Sequence, residues 1–262
     1  MTLKFFSAVL LWLVVVRAVY SSLGHEHPNF GIGLQVFSKH YWPGGTIPYE
    51  FSPHLDKVTQ KKITFAMWYL SIHSCVRFTE IQSDEEVHRV VIKPSKGSCS
   101  TNIGYKPDTL TFRQLFLVGP SCTVSKWHLM HQLLQLAGLY PEQRHYNRVR
   151  YLLVDMEAIQ QDHHLEYAKL KGAFGFLMTL GLPYDPTSLL QYNNNIFSVE
   201  DNIQTMLLKV KEFNGTLGQR EDFSATDRAR LNRLYMCWGH YLGDDQPGAV
   251  PYLYWFNTFL SP

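Results

Sequence analysis

The sequence predicts an α+β fold in two lobes, with a small mixed sheet and long helices in the N-terminal lobe and an irregular C-terminal lobe. Before about residue 140, short β-branched and aromatic runs alternate with amphipathic helical patterns. Beyond that point, residues 144–171 are polar and residues 172–195 are rich in Gly, Pro, Asn and Tyr. This change in composition indicates that the lobes meet at the end of the second long helix.

The N-terminus has the pattern of a secretory signal peptide. Lys4 precedes an apolar run over residues 5–16, and the small residues Ser21 and Ser22 follow. This order predicts a signal peptide over residues 1–22, with an uncleaved anchor as the alternative. Residues 23–41 are predicted to be a leader or short pro-segment. No later segment has the apolar length of a transmembrane helix, so we expect no membrane span after signal cleavage.

The cysteines and a glycosylation sequon agree with a secreted, extracellular location. Four cysteines, Cys75, Cys99, Cys122 and Cys237, predict two disulfides in a secreted chain, with three pairings open and buried free thiols as the alternative. Asn214 opens the sequon Asn-Gly-Thr. The net charge is +2 and there is no basic run, which argues against a nucleic acid partner.

The predicted elements follow one another in a simple order. A first strand at residues 46–51 precedes an amphipathic helix at about residues 55–73. Three more strands are predicted, at residues 76–81, 89–92 and 109–118.

A second helix begins near Thr123 or Ser125, and Gly138 is placed to end it in the left-handed conformation. Further helices are predicted near residues 165–170 and, with a capping sequence, at residues 224–235. Residues 238–262 form an aromatic C-terminal tail, which either covers an apolar surface or is mobile.

The second predicted helix carries the residues that suggest a chemistry. His131 and Gly138 fit the first histidine and the glycine of the zinc-protease pattern H-E-x-x-H-x-x-G-x-x-H. That pattern needs three histidine ligands and a glutamate that takes a proton from metal-bound water. Here Gln132 replaces the glutamate, and Gln135 and Pro141 replace the other histidines. A neutral amide is a poor zinc ligand and no base, so we predict that the ligand set and the general base are lost.

Motifs outside this helix give the chain a wider resemblance. Residues 188–192, Ser-Leu-Leu-Gln-Tyr, are similar to a Met-turn, Ser-Val-Met-His-Tyr. Over about residues 42–237 the chain resembles the astacin family of secreted zinc endopeptidases, and the order and spacing of the motifs make the combination specific. The other motifs that carry the resemblance are WPGGTIPY at 42–49, CVRF at 75–78, GSCS at 97–100, GPSC at 119–122, LGLPYD at 180–185, GQR at 218–220, SATD at 224–227 and residues 232–237.

The resemblance implies a metzincin-like, astacin-like domain over residues 42–237, with an active-site cleft between the lobes. It also implies the disulfide pairs Cys75–Cys237 and Cys99–Cys122.

Three further residues acquire roles only through the resemblance. It assigns Tyr192 to the tyrosine that acts as an additional metal ligand and transition-state donor. It assigns Glu142 to the acid that receives the mature N-terminus, and it places Leu190 where the Met-turn has methionine.

We therefore predict a secreted pseudoprotease that binds or regulates an extracellular protein or peptide and needs no cofactor. One alternative is an atypical zinc endopeptidase that hydrolyses extracellular proteins with His131, Tyr192 and a third, unidentified group. Another is a purely structural secreted protein. A separate metal site formed by His128 and His131 together with His163 and His164 is also open.

Overall fold

The structure is a computed structural model, and it describes residues 40–82, 87–97, 99–106, 112–201, 203–209, 217–218 and 222–260. The predicted signal peptide, almost all of the leader and the sequon at Asn214 lie outside these residues. No helix among the described residues is long and apolar enough to cross a membrane.

A five-stranded mixed sheet forms the centre of the N-terminal lobe. Strands β1 and β2, β1 and β3, and β3 and β5 pair in parallel, and β4 pairs with β5 in the antiparallel sense. Alternate residues of the inner strands are buried, as the period of a strand requires. The spatial order is β2-β1-β3-β5-β4, for β1 (Thr46–Phe51), β2 (Arg77–Glu80), β3 (Arg89–Pro94), β4 (Ser100–Thr101) and β5 (Arg113–Val118).

Two long helices, α1 (Lys57–Ile72) and α2 (Lys126–Leu136), pack against each other in the same lobe. α1 begins after Asp56, whose side chain accepts a hydrogen bond from the Thr59 N–H. α2 ends as the sequence predicts, because Gly138 takes a φ of +103°, a conformation that glycine adopts without steric cost.

The C-terminal lobe has a small hydrophobic core of its own, and most of its backbone is irregular, as predicted. It contains the antiparallel strands β6 (Leu152–Val154) and β7 (Met206–Leu208) and the short helices α3 (His164–Tyr167) and α4 (Gly172–Leu177). Of these elements the sequence predicts only α3. The core consists of Leu152, Ile159, Tyr167, Tyr184, Met206 and Leu217.

Two C-terminal helices, α5 (Ala225–Leu234) and α6 (Tyr252–Phe259), return to the larger core. α5 begins with the predicted capping box, in which Ser224 and Asp227 bond each other's backbone N–H groups. α6 buries Tyr252 and Trp255. Residues 238–260 therefore cover an apolar surface, which is one of the two roles left open by the sequence.

Two disulfides fix distant parts of the chain. Cys75 is bonded to Cys237, and Cys99 is bonded to Cys122. The structure confirms the pairing that the resemblance implies. The first bond ties the segment after α1 to the segment after α5, and both cysteines pack in the larger core.

Candidate active site

His131 lies on the face of α2 that is turned towards the C-terminal lobe. Its Nδ1 atom is 2.9 Å from the carbonyl oxygen of Leu189, in the turn at residues 188–192. A carbonyl only accepts hydrogen bonds, so Nδ1 carries a proton and donates it. The ring of Tyr192 lies nearly parallel to the imidazole, with 6.1 Å between the ring centres. The structure thus brings together His131 and Tyr192, which the sequence places in separate motifs.

The turn at residues 188–192 is held by Asp227, the third residue of α5's first turn. The Ser188 hydroxyl donates to Oδ1 of Asp227 at 2.6 Å, and the Leu189 N–H donates to Oδ2 at 2.7 Å. Burial raises the pKa of Asp227, the nearby charge of Asp185 adds to the rise, and the hydrogen bond from Ser188 opposes it. A chain of hydrogen bonds therefore runs from the cap of α5, through the turn, to His131.

Leu190 is fully buried in the larger core, next to this chain of hydrogen bonds. Its carbonyl oxygen accepts a hydrogen bond from the Glu142 N–H at 3.1 Å. The Leu190 side chain therefore packs in the larger core, and its backbone carbonyl links the turn by a hydrogen bond to the segment that follows α2.

A cleft of about 570 Å³ opens beside His131. Gln132 contributes to its lining, and the Oε1 atom of this glutamine is buried and accepts no hydrogen bond from the described residues. Gln135 and Pro141 are also buried, but they do not line the cleft. The residues that line it are Cys99, Ser121, His128, His131, Gln132, Tyr192, Asn193, Ile196 and Phe197.

The donor set at this site does not fit zinc. His131 supplies an imidazole, whereas Gln135 supplies only a neutral amide and Pro141 has no side-chain donor. Within the described ranges, no three His, Cys, Asp or Glu side chains lie close enough together to hold a metal ion. The separate histidine site left open by the sequence does not assemble there either, since His163 bonds Glu166 and His164 bonds the carbonyl oxygen of Ile159.

Tyr192 takes part in a polar chain that the sequence analysis missed. Its hydroxyl donates to Oε2 of Glu166 at 2.8 Å, and Oε1 of Glu166 lies 2.8 Å from Nδ1 of His163. The His163 ring stacks on Phe197, with 3.6 Å between the ring centres. Burial raises the pKa of Tyr192 well above its usual value, and the charge of Glu166 raises it further. Tyr192 is therefore a neutral hydrogen-bond donor, directed at Glu166.

Glu142 forms a buried ion pair with Arg230, and neither residue lines the cleft. Its carboxylate accepts hydrogen bonds from the Arg230 guanidinium and, at 2.8 Å, from the Asp185 N–H. Burial raises the pKa of Glu142 to about 7, against the opposing attraction of Arg230. The role of receiving the mature N-terminus, which the resemblance assigns to Glu142, stays a prediction.

The structure has a zinc-protease-like fold, with two lobes, a helix that carries His131 and a turn that accepts a hydrogen bond from this histidine. Its zinc ligand set is incomplete. The family model described as Astacin, a peptidase family, matches residues 35–236. The fold is similar to that of high choriolytic enzyme 1, a hatching enzyme zinc-protease from Oryzias latipes, with a TM-score of 0.65 and 22% identity over 76% of this chain and 96% of that chain.

Several curated relatives agree with the family model. The chain is 28% identical to zinc metalloproteinase nas-15 of Caenorhabditis elegans over 75% of its length and 32% of that protein. It is 29% identical to meprin A subunit alpha of Rattus norvegicus over 73% of its length and 24% of that protein. It is 32% identical to tolloid-like protein 1 of Mus musculus over 75% of its length and 19% of that protein. The chain belongs to the astacin family, and it matches a third or less of these relatives' own length.

Proposed function

We propose that this protein is a secreted astacin-family pseudoprotease, which binds a peptide segment in its cleft and does not hydrolyse it. The observation that carries the proposal is the contrast within one site. The cleft, the turn and the link from Asp227 to His131 persist, whereas the positions of the general base and of two zinc ligands hold Gln132, Gln135 and Pro141.

The lining of the cleft suits a peptide backbone. Oε1 of Gln132 is a buried acceptor that receives no hydrogen bond from the described residues, so a backbone N–H of a bound segment would satisfy it. Ile196 and Phe197 offer apolar surface for a side chain of that segment. No acidic or permanently charged basic side chain lines the cleft among the described residues. The preferred segment is therefore uncharged at its centre.

The proposed partner is an extracellular protein or peptide, and the protein acts as a competitor of active relatives or as a scaffold. The two disulfides support an oxidising compartment. The signal peptide at residues 1–22 and glycosylation at Asn214 belong to the same proposal, as does the absence of a cofactor.

The alternative is an atypical zinc endopeptidase that uses His131 and Tyr192. It is favoured by the position of both rings on one cleft. It requires the Tyr192 hydroxyl to leave Glu166, and it requires a third ligand.

Metal content and hydrolysis measured on the secreted full chain separate the two functions. We expect less than stoichiometric zinc by elemental analysis and no cleavage of casein, with or without chelator, from a protein that unfolds cooperatively. Stoichiometric zinc with chelator-sensitive cleavage would overturn the pseudoprotease. The triple variant Gln132→Glu/Gln135→His/Pro141→His restores the general base and the two missing histidine ligands of the zinc-protease pattern. Gln132→Glu alone is its control, since a base without the ligands holds no metal.

Peptide binding is tested with a display library selected on the wild-type protein. Gln132→Leu removes the buried acceptor at similar volume and should weaken a selected peptide about fivefold or more, the loss expected for one hydrogen bond. Gln204→Leu, at an exposed position outside the cleft, is the control. Equal binding by both variants would place the peptide elsewhere.

A further inference from the structure

We infer that the protein has a second binding surface, which takes an acidic segment of a partner protein that carries apolar side chains. This surface, the basic groove, lies between the outer face of α1 and the start of α2. It is lined by Val58, Lys61, Lys62, Phe65, Val124 and Lys126, among others, and shares no lining residue with the cleft beside His131.

α1 has an apolar stripe on its outer face in addition to the apolar face that it buries. Val58, Phe65, Trp68 and Ile72 follow at intervals of seven, three and four residues, so they lie along one side of the helix. About half or more of each side chain is exposed, with 66% for Val58, 48% for Phe65, 54% for Trp68 and 49% for Ile72. The stripe is about 21 Å long, from 1.5 Å per residue. Phe65, Trp68 and Ile72 form the continuous part of the stripe, and Lys61 and Lys62 lie between them and Val58. Exposed apolar side chains grouped in this way, with charged residues at their edge, are typical of an interaction surface.

The stripe borders a concave site at the N-terminal end of α1. The basic groove has a volume of about 500 Å³. Val124, which is 77% exposed, lines it together with Val58 and Phe65 of α1 and the buried Leu129 of α2. A concave apolar site accepts an inserted side chain, whereas a flat lipid surface does not enter it. The shape therefore favours a protein segment over a membrane.

The charged residues around the basic groove determine which charge the partner segment should carry. Lys61, Lys62 and Lys126 are exposed and line it, and no acidic residue is present in α1 or among the lining residues. Two of these lysines have defined positions, since Lys62 Nζ donates to the carbonyl oxygen of Thr123 at 3.4 Å and Lys126 Nζ lies 4.0 Å from the Trp127 ring centre. Three positive charges around an apolar site complement carboxylates that flank an apolar side chain.

The test uses the secreted full chain and a synthetic peptide of about fourteen residues, the length that spans the stripe as a helix. The peptide contains leucines spaced for one helical face, with glutamates beside them. Two reference peptides replace every glutamate by lysine or every leucine by serine. Binding is measured by calorimetry at low and at high salt, and against vesicles of phosphatidylserine and phosphatidylcholine.

We expect the acidic apolar peptide to bind, the lysine peptide not to bind and the serine peptide to bind at least about tenfold more weakly. Lys61→Glu/Lys126→Glu should weaken the acidic peptide by about tenfold or more, and the effect should shrink at high salt. Lys171→Glu, a charge reversal at an exposed lysine outside the basic groove, should not change the affinity.

Val124→Ser separates the apolar contribution from the electrostatic one and should also weaken the peptide. Binding to anionic vesicles without binding of the peptide would overturn the inference in favour of a membrane surface. No binding of the acidic peptide, or equal loss in Lys61→Glu/Lys126→Glu and Lys171→Glu, would overturn it as well. None of these outcomes depends on zinc or on the cleft.

Discussion

Asp227 offers the sharpest test of how the fold holds the candidate site. Its carboxylate accepts hydrogen bonds from the Ser188 hydroxyl, the Leu189 N–H and the Ser224 N–H. The side chain is fully buried. Asp227→Ala leaves two backbone N–H groups without an acceptor, and an unsatisfied buried donor costs about 1–3 kcal/mol. We therefore expect the free energy of unfolding to fall by about 2–6 kcal/mol.

The isosteric variant Asp227→Asn is the matched control. Its carbonyl oxygen takes the place of Oδ2 and keeps both backbone bonds, whereas its NH₂ group cannot accept the hydrogen bond that the Ser188 hydroxyl donates to Oδ1. We expect a loss of about 1–3 kcal/mol, the cost of one buried donor, which is smaller than the loss in the alanine variant. Urea unfolding measures the free energy of unfolding of both variants, provided that its dependence on urea concentration has the same slope as in the wild type.

A second readout distinguishes a local effect on the site from general destabilisation. The Nδ1–H of His131 donates to the Leu189 carbonyl oxygen, so its proton resonance should be visible in the wild type and in Asp227→Asn. In Asp227→Ala the resonance should broaden, because the turn that carries Leu189 is released. Equal stability losses in the two variants, or an unchanged His131 resonance in the alanine variant, would refute the proposed link.

Three further predictions concern stability. Burial, with the charge of Arg230, lowers the pKa of His145 to about 3, so the unfolded state binds the extra proton. The contribution of His145 to stability should be complete above pH 6.5 and fall towards pH 3 by up to about 1.4 kcal/mol per pH unit, whereas Glu142, whose pKa is raised to about 7, contributes in the opposite direction between about pH 7 and pH 4.5. A pH series of urea unfolding curves on the wild type and on His145→Gln isolates the histidine, and their difference should shrink as the pH falls below 6.5. Cys75→Ser/Cys237→Ser opens a loop of 162 residues and should lower the free energy of unfolding by about 5 kcal/mol in the same assay. Trp255→Ala should cost about 3–5 kcal/mol, and a loss below 1 kcal/mol would contradict the packing of α6.

The sequence predicts those parts of the fold whose signals are local. α1, α2 and α5 each have apolar residues at helical spacing within one segment, and Ser224 with Asp227 marks the start of α5. β4 has only two residues, too few for a period to show, and it forms through pairing with β5. α6 is aromatic on several sides, and burial of its inner face depends on the rest of the core.

The residues of the candidate site also fall into those that a local sequence motif predicts and those that only tertiary contacts bring together. His131, Gln132 and Gly138 follow from one helical motif, whereas Glu166 belongs to no motif and meets Tyr192 across 26 residues. Only a tertiary contact gives this carboxylate its role. Asp227 is visible in the sequence as a capping residue, but its two bonds to the turn at residues 188–192 span 38 and 39 residues and leave no local signal.

The link from Asp227 through Leu189 to His131 is useful for metal chemistry only when the other ligands are present, yet it also stabilises the fold. It satisfies buried donors in the turn and joins α5 to α2. Gln132, Gln135 and Pro141 have no such second role, because an active site needs their positions only for ligands and a base. Loss of catalysis would therefore release these three positions, while the cost of unpaired buried donors would preserve Asp227. The proposed pseudoprotease would keep the shape of the cleft because its fold depends on the bonds from Asp227 to the turn and from the turn to His131.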